Sequence, residues 1–140
     1  MVKISFLLKD NEITSYLKNE EGIKPIKIEN NEPVYQLSME KEGFPIATGS
    51  IIKIDPETYK IANLIVNKRL RNKQIGTYAL KSMLTKIKTL GGRIVILESP
   101  ISLLPFFRKL GFKNEDGEIK NNKMLLKKEL KFSKRPINRY

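Results

Sequence analysis

A change of hydrophobic period in mid-chain constrains this sequence more than any other feature. Tyr59 to Val66 reads YKIANLIV, an apolar and β-branched run of strand length. Beyond Gly76 the apolar residues recur at helical spacing. Ala79, Leu80, Met83, Leu84, Ile87 and Leu90 share one face, and Gly91-Gly92 supplies a stop. RIVIL, Arg93 to Leu97, is again a buried-strand run. Strand, amphipathic helix and strand in that order predict two parallel strands joined by a right-handed crossover.

The remaining elements read as partners of that unit. VKISFLL (Val2 to Leu8) predicts a strand, followed by a helix with Asp10 or Asn11 as N-cap and Gly22 as its stop. Gly22 to Pro33 reads as an irregular or short-helix connection with prolines near both ends. Tyr35, Leu37 and Met39 alternate on one face before a KEGFP turn, and Ile46 to Ile54 returns as the second arm of a hairpin. A DPET turn leads into the central strand. After RIVIL, SLLPFFRKL predicts a short helix with Pro105 in its first turn and Gly111 just past its end. Asp116-Gly117 reads as a turn and Lys123 to Leu130 as a last strand; the basic stretch from Lys131 to Tyr140 reads as a tail. The expected class is α/β (α+β), a mixed sheet flanked by helices with an antiparallel hairpin toward the N-terminus.

At 140 residues the chain is long enough for one domain with a core of its own, expected over residues 1–130. It contains no cysteine and no histidine, which excludes thiolate nucleophiles and disulfides and removes the usual general base. The opening MVKISFLLKDNE turns acidic too soon for a signal peptide, and no apolar run nears the roughly 20 residues of a membrane span, so a cytoplasmic, membrane-free protein is expected. Charge is unevenly placed. Residues 1 to 66 hold eight lysines against ten acids, whereas residues 67 to 140 hold nineteen Lys/Arg against five acids. Such a half attracts polyanions, whether nucleic acid, acidic membrane or a phosphorylated cofactor; general solvation of the surface is the plainer alternative.

The junction of strand and helix, VNKRLRNKQIGTYALKSML, gathers Lys68, Arg69, Arg71 and Lys73 ahead of Gly76. A helix that starts directly after a strand leaves its first amides unpaired, and these with the macrodipole and nearby cations suit a pyrophosphate. The turn is neither a P-loop nor a dinucleotide fingerprint, since G-x-x-x-x-G-K-[ST] and G-x-G-x-x-G are both missing.

Two motifs in register resemble the GNAT superfamily of acyl-CoA-dependent N-acetyltransferases. Its phosphate motif, Arg or Gln, x, x, Gly, x, Gly or Ala, is similar to Arg71, Asn72, Lys73, Gln74, Ile75, Gly76; its later F-Y-x-K-L-G-F is similar to FFRKLGF, Phe106 to Phe112. The resemblance covers about residues 34 to 130. It implies a GNAT-like mixed sheet, acetyl-CoA as co-substrate, no metal and an amine acceptor. Backbone groups of Leu64 and Val66 would pair with the pantetheine arm. Amides from Arg71 to Thr77 would hold the pyrophosphate, and Phe106 and Phe107 would line the sulfur end. The sequence departs from the pattern twice. Gln74 replaces the first glycine, so its backbone must avoid positive φ or bear strain. Phe107 replaces the tyrosine that protonates the leaving thiolate, so water, Tyr78 or Ser102 would have to substitute. Glu98 is the candidate base, although a solvated or ion-paired strand end is an equally good reading of it, and Asn63 is a candidate for orienting the acceptor. A homodimer is a candidate assembly. A CoA binder without turnover, or a basic nucleic-acid-binding module, is the alternative function.

Overall fold

A computed structural model of the chain describes residues 1–24, 34–71, 74–114 and 117–131. Most of the connection before Pro33, Asn72, Lys73, Asp116 of the expected turn and the tail after Lys131 lie outside the described residues. In chain order the elements are β1 (Lys3–Leu7), α1 (Glu12–Glu20), β2 (Val34–Lys41), β3 (Phe44–Lys53), β4 (Thr58–Val66), α2 (Ile75–Thr89), β5 (Ile94–Pro100), α3 (Leu104–Lys109), β6 (Ile119–Lys120) and β7 (Lys123–Glu129). The strands form one sheet in the order β1-β2-β3-β4-β5-β7-β6. β4 and β5 are parallel, joined through α2 as the change of period predicts. The other strand pairs are antiparallel.

Turn chemistry sets the hairpins. Between β2 and β3, Glu42 and Gly43 both take positive φ, 50° and 81°, the two-residue geometry whose twist matches paired strands. Asn121 and Asn122, at φ 53° and 61°, do the same between β6 and β7. Asparagine tolerates the left-handed region because its short amide bonds locally, so this pair makes a hairpin arm that apolar patterning alone does not reveal.

The sheet buries its two faces against different chemistry. Leu37, Met39, Ile51 and Ile61 meet Ala79, Leu80, Met83 and Ile87 of α2 in the main core. The intervening positions of β2 and β3 are polar. Gln36, Ser38, Thr48 and Ser50 are buried beneath α1, whose own apolar contribution, Ile13 and Leu17, packs on Ile65. Asn11 is the N-cap of α1 in a capping box: its Oδ1 accepts from the Thr14 amide at 2.9 Å, and its own amide donates to Thr14 Oγ1 at 3.0 Å. Asp10, the other candidate cap, instead accepts from Lys18 Nζ at 2.9 Å and from Thr14 Oγ1 at 2.7 Å.

Lys18 is only 3% exposed. Its ammonium is held by Asp10 and by Gln36 Oε1 at 2.8 Å, and that oxygen also accepts from Ser50 Oγ at 2.7 Å. Burial pushes the Asp10 carboxyl up, but hydrogen bonds from Lys18 and Thr14 and the Lys18 charge outweigh it and hold the group below its ordinary value. Removing one member of such a network leaves the other charge buried and short of a partner. Asp10→Asn should therefore lower stability at neutral pH by roughly 1–3 kcal/mol. Because the folded-state value is the lower one, Asp10 contributes above the unfolded aspartate range, and the contribution is lost as pH falls through the folded value. Urea unfolding at about pH 7 and about pH 3 should show the two proteins converging in acid. A difference that persists unchanged would mean that the charge on Asp10 does not hold α1 to the sheet.

Candidate functional site

Three features part β4 from β5. First, parallel pairing covers only Thr58 to Lys60 against Ile94 to Ile96, although β4 continues to Val66 and β5 to Pro100. Second, β4 carries a bulge: Ile65 pairs with Thr48 and Ala62 with Ser50, so Asn63 and Leu64 together oppose Gly49, with Asn63 at φ 54°. Third, α2 presses on the sheet at that point. A β-carbon on Gly49 would lie 2.7 Å from Met83 Sδ, so only glycine admits this approach without a shift.

Past the bulge, β4 presents its backbone to the gap. The Asn67 amide donates to the Ile46 carbonyl of β3 at 2.8 Å. Strand alternation then turns the amide and carbonyl of Val66 to the opposite edge, where β5 has already left. Arg71 Nε occupies that carbonyl at 3.1 Å.

The start of α2 forms the next wall. Its N-cap, Gln74, is left-handed at φ 59° and ψ 16° and makes no side-chain cap. Of the two outcomes its replacement of glycine allowed, the backbone adopts positive φ. The first intrahelical bond runs from the Tyr78 amide to the Gln74 carbonyl at 3.2 Å. The amides of Ile75, Gly76 and Thr77 therefore precede the helical ladder and sit at the positive end of its dipole. Gly76 brings this turn close to α3, where an added β-carbon would stand 3.4 Å from Phe106 Cζ and 3.7 Å from Val66 Cγ2.

These walls enclose a groove of about 760 Å³. Among the sequence-predicted residues it brings together Asn63, Leu64, Val66, Arg71, Gln74, Ile75, Gly76, Thr77, Phe106 and Phe107. Asn72 and Lys73 lie outside the described residues. Phe107 is 6% exposed and packs edge-on against Phe106 and Phe112, with ring centroids 5.0 and 5.9 Å away, yet it reaches the groove wall. Glu98 is not on that wall; its carboxylate pairs with Lys60 Nζ at 3.2 Å and is about half exposed. Tyr78 and Ser102 are exposed and do not line the groove either. Among the described residues no cluster of histidine, cysteine or carboxylate side chains could hold a metal ion.

Sequence reasoning missed Glu21 and Ile23 at the end of α1, and Leu70 and Leu103 at the turns beside α2 and α3. Glu21 forms an ion pair with Arg71 Nη2. No periodicity or motif marks it, because its partner is fifty residues away along the chain.

An L-residue in the left-handed region costs roughly 1–2 kcal/mol, partly offset here by the greater freedom a glycine has when unfolded. Gln74→Gly should accordingly raise the thermal midpoint, with a net gain of about 0.5–1 kcal/mol. A lower midpoint would show that the Gln74 side chain contributes more than its backbone strain costs.

A family model described as the acetyltransferase (GNAT) family matches residues 6–112. No curated protein matches the sequence significantly. The solved structures similar in fold include a GNAT family acetyltransferase from Elizabethkingia anophelis with acetyl-CoA bound, at 18% identity and TM-score 0.71 over 92% of this chain and 98% of that one. Escherichia coli ElaA aligns at 18% identity and TM-score 0.72, over 92% of this chain and 100% of its own. An IAA acetyltransferase from Bacillus cereus aligns at 19% identity and TM-score 0.68, over 93% and 100%.

Proposed function

The chain belongs to the acetyltransferase (GNAT) family, and on that premise we propose that it transfers an acetyl group from acetyl-CoA to an amine. The observation that carries this reading is the parted β4–β5 pair, which joins strand backbone, unpaired helix amides and an aromatic wall in one groove. Those parts fit the chemistry of CoA. The Val66 amide, whose carbonyl Arg71 already uses, offers a strand-type hydrogen bond to a pantetheine arm, with Leu64 beside it on the wall. The amides of Ile75 to Thr77 and the Arg71 guanidinium suit a pyrophosphate. Phe106 and Phe107 give the thioester end a low-dielectric lining.

Acetyl-CoA supplies the activated acyl group. The protein's part is to hold the amine beside it, since orientation alone can supply several kcal/mol. The Asn63 side chain, at the bulge on the groove wall, is assigned to orienting the acceptor. In the direct reaction the amine nitrogen bonds the acyl carbon, the carbon–sulfur bond breaks, and the proton lost by nitrogen balances the one gained by sulfur. With Glu98 off the wall and tied to Lys60, water is the assigned carrier of that proton. The second reading, a domain that binds CoA without turnover, is favoured by one feature, the phenyl ring of Phe107 where the resemblance places a phenol.

Calorimetric titration tests the first step. Acetyl-CoA should bind and raise the thermal midpoint, because a ligand of the folded state alone shifts unfolding by mass action. Absence of both effects at about millimolar ligand would remove the reading. Turnover of acetyl-CoA with a panel of amines separates the enzyme from the binder.

Gly76→Ala checks the geometry. Its methyl meets Phe106 and Val66 at ordinary contact distance, and alanine favours a helix over glycine by roughly 0.5–1 kcal/mol, so stability should hold or rise. Affinity for CoA should fall, because the methyl narrows the groove where the helix amides face it. Unchanged affinity would place the ligand elsewhere.

Phe107→Tyr should cost less than about 1 kcal/mol in urea unfolding and leave CoA affinity intact, since the ring borders the groove. A buried hydroxyl without a partner would instead cost roughly 1–3 kcal/mol. A loss of that size would turn the ring edge into the core and separate it from the thioester end.

A further inference from the structure

Among the described residues that line the groove, Arg71 is the sole cation and Glu21 the sole anion, and the two are paired with each other. Their side chains are 50% and 29% exposed, so the pair lies at the mouth rather than in the core. The guanidinium is used twice: Nε donates to the Val66 carbonyl at 3.1 Å, and Nη2 meets the Glu21 carboxylate. Glu21 also caps the C-terminal end of α1, where the helix dipole is negative and a carboxylate is unfavourable without a nearby cation.

We propose that Glu21 is a built-in competitor for the anion that the groove receives, and so sets its affinity for diphosphate-bearing ligands. This rests on the functional reading above only in naming that anion as the pyrophosphate of CoA. A carboxylate and a phosphate seek the same fork of guanidinium donors, and both cannot fully use Nη2 at once. Binding of a diphosphate therefore exchanges one anion for another, and the α1 carboxylate is released from Arg71. The groove consequently favours a doubly charged diphosphate, which can displace a single carboxylate and also reach the helix amides, over ligands without phosphate.

Glu21→Gln removes the competitor and keeps the shape. A partly exposed ion pair is worth a fraction of a kcal/mol to about one, so the variant should bind CoA roughly two- to fivefold more tightly at about 20 mM salt. The gain should shrink at about 500 mM salt, where screening has already weakened the pair. Pantetheine, which carries no phosphate, should bind both proteins alike. The ligand-free variant should melt slightly earlier, having lost the tie between α1 and the loop before α2. Should the amide disturb folding, Glu21→Ala gives the same comparison. Equal or weaker CoA binding by the variant would overturn the proposal, and weaker binding would mark Glu21 as a residue that positions Arg71 for the phosphate. Inorganic pyrophosphate separates the two claims. If neither protein binds CoA but the variant binds pyrophosphate more tightly, the functional reading fails and the role of Glu21 stands. If CoA binds both proteins equally, the functional reading stands and the role of Glu21 fails.

Discussion

The early parting of β4 from β5 is the constraint on which the rest of this structure depends. Parallel strands joined by a crossover helix normally share a full ladder, because unpaired backbone groups cost free energy when they leave water. Here the ladder stops after three register pairs, Thr58–Ile94 to Lys60–Ile96. The bulge at Asn63 and Leu64 bends β4, and Gly49 lets Met83 of α2 settle directly over the bend. β5 meanwhile keeps a continuous partner in β7, from Ile94–Glu129 to Pro100–Lys123, so it does not follow β4. Each strand is thus stabilised on its outer side, and the groove opens between them.

A second consequence concerns α1. It covers a sheet face that is polar beneath it, and Asp10, Lys18, Gln36 and Ser50 form a connected set of hydrogen bonds there. A helix on an apolar face can slide at little cost, whereas one held by directed bonds has a single register. That register places Glu21 against Arg71. The position of a carboxylate at the groove mouth is therefore decided in part by a buried lysine one turn earlier in the helix.

The charge asymmetry has a different meaning from the one its size suggests. Of the nineteen cations beyond Val66, Arg71 alone lines the groove among the described residues. Among the described residues, the groove offers one guanidinium, beside the start of α2. Gln74 shows a related economy: a left-handed turn that glycine would take without strain is made by a residue that bears it.

Local rules made much of the fold legible. The change of period gave the order β4, α2, β5, because a buried face imposes its own spacing on any chain. Gly22, Gly43, Gly91 and Gly111 all take the left-handed region at the turns or helix ends where a residue without a β-carbon is favoured. The hairpin face of Tyr35, Leu37 and Met39 followed from alternation, and the two motifs contain six of the groove-lining residues, Arg71, Gln74, Ile75, Gly76, Phe106 and Phe107. What stayed hidden depends on distance. Neither the bulge at Asn63, which needs Gly49 and Met83 opposite it, nor the removal of Glu98 to the side of Lys60 is encoded in its own neighbourhood. The pairing of Glu21 with Arg71 joins residues fifty positions apart, from the end of one helix to the approach of another. The sequence by itself determined the main strands and helices, their order and the basic turn that opens α2, since propensity and period act over a few residues. Tertiary structure alone decided which charges meet in the groove, because that depends on how two helices on opposite faces of one sheet are seated.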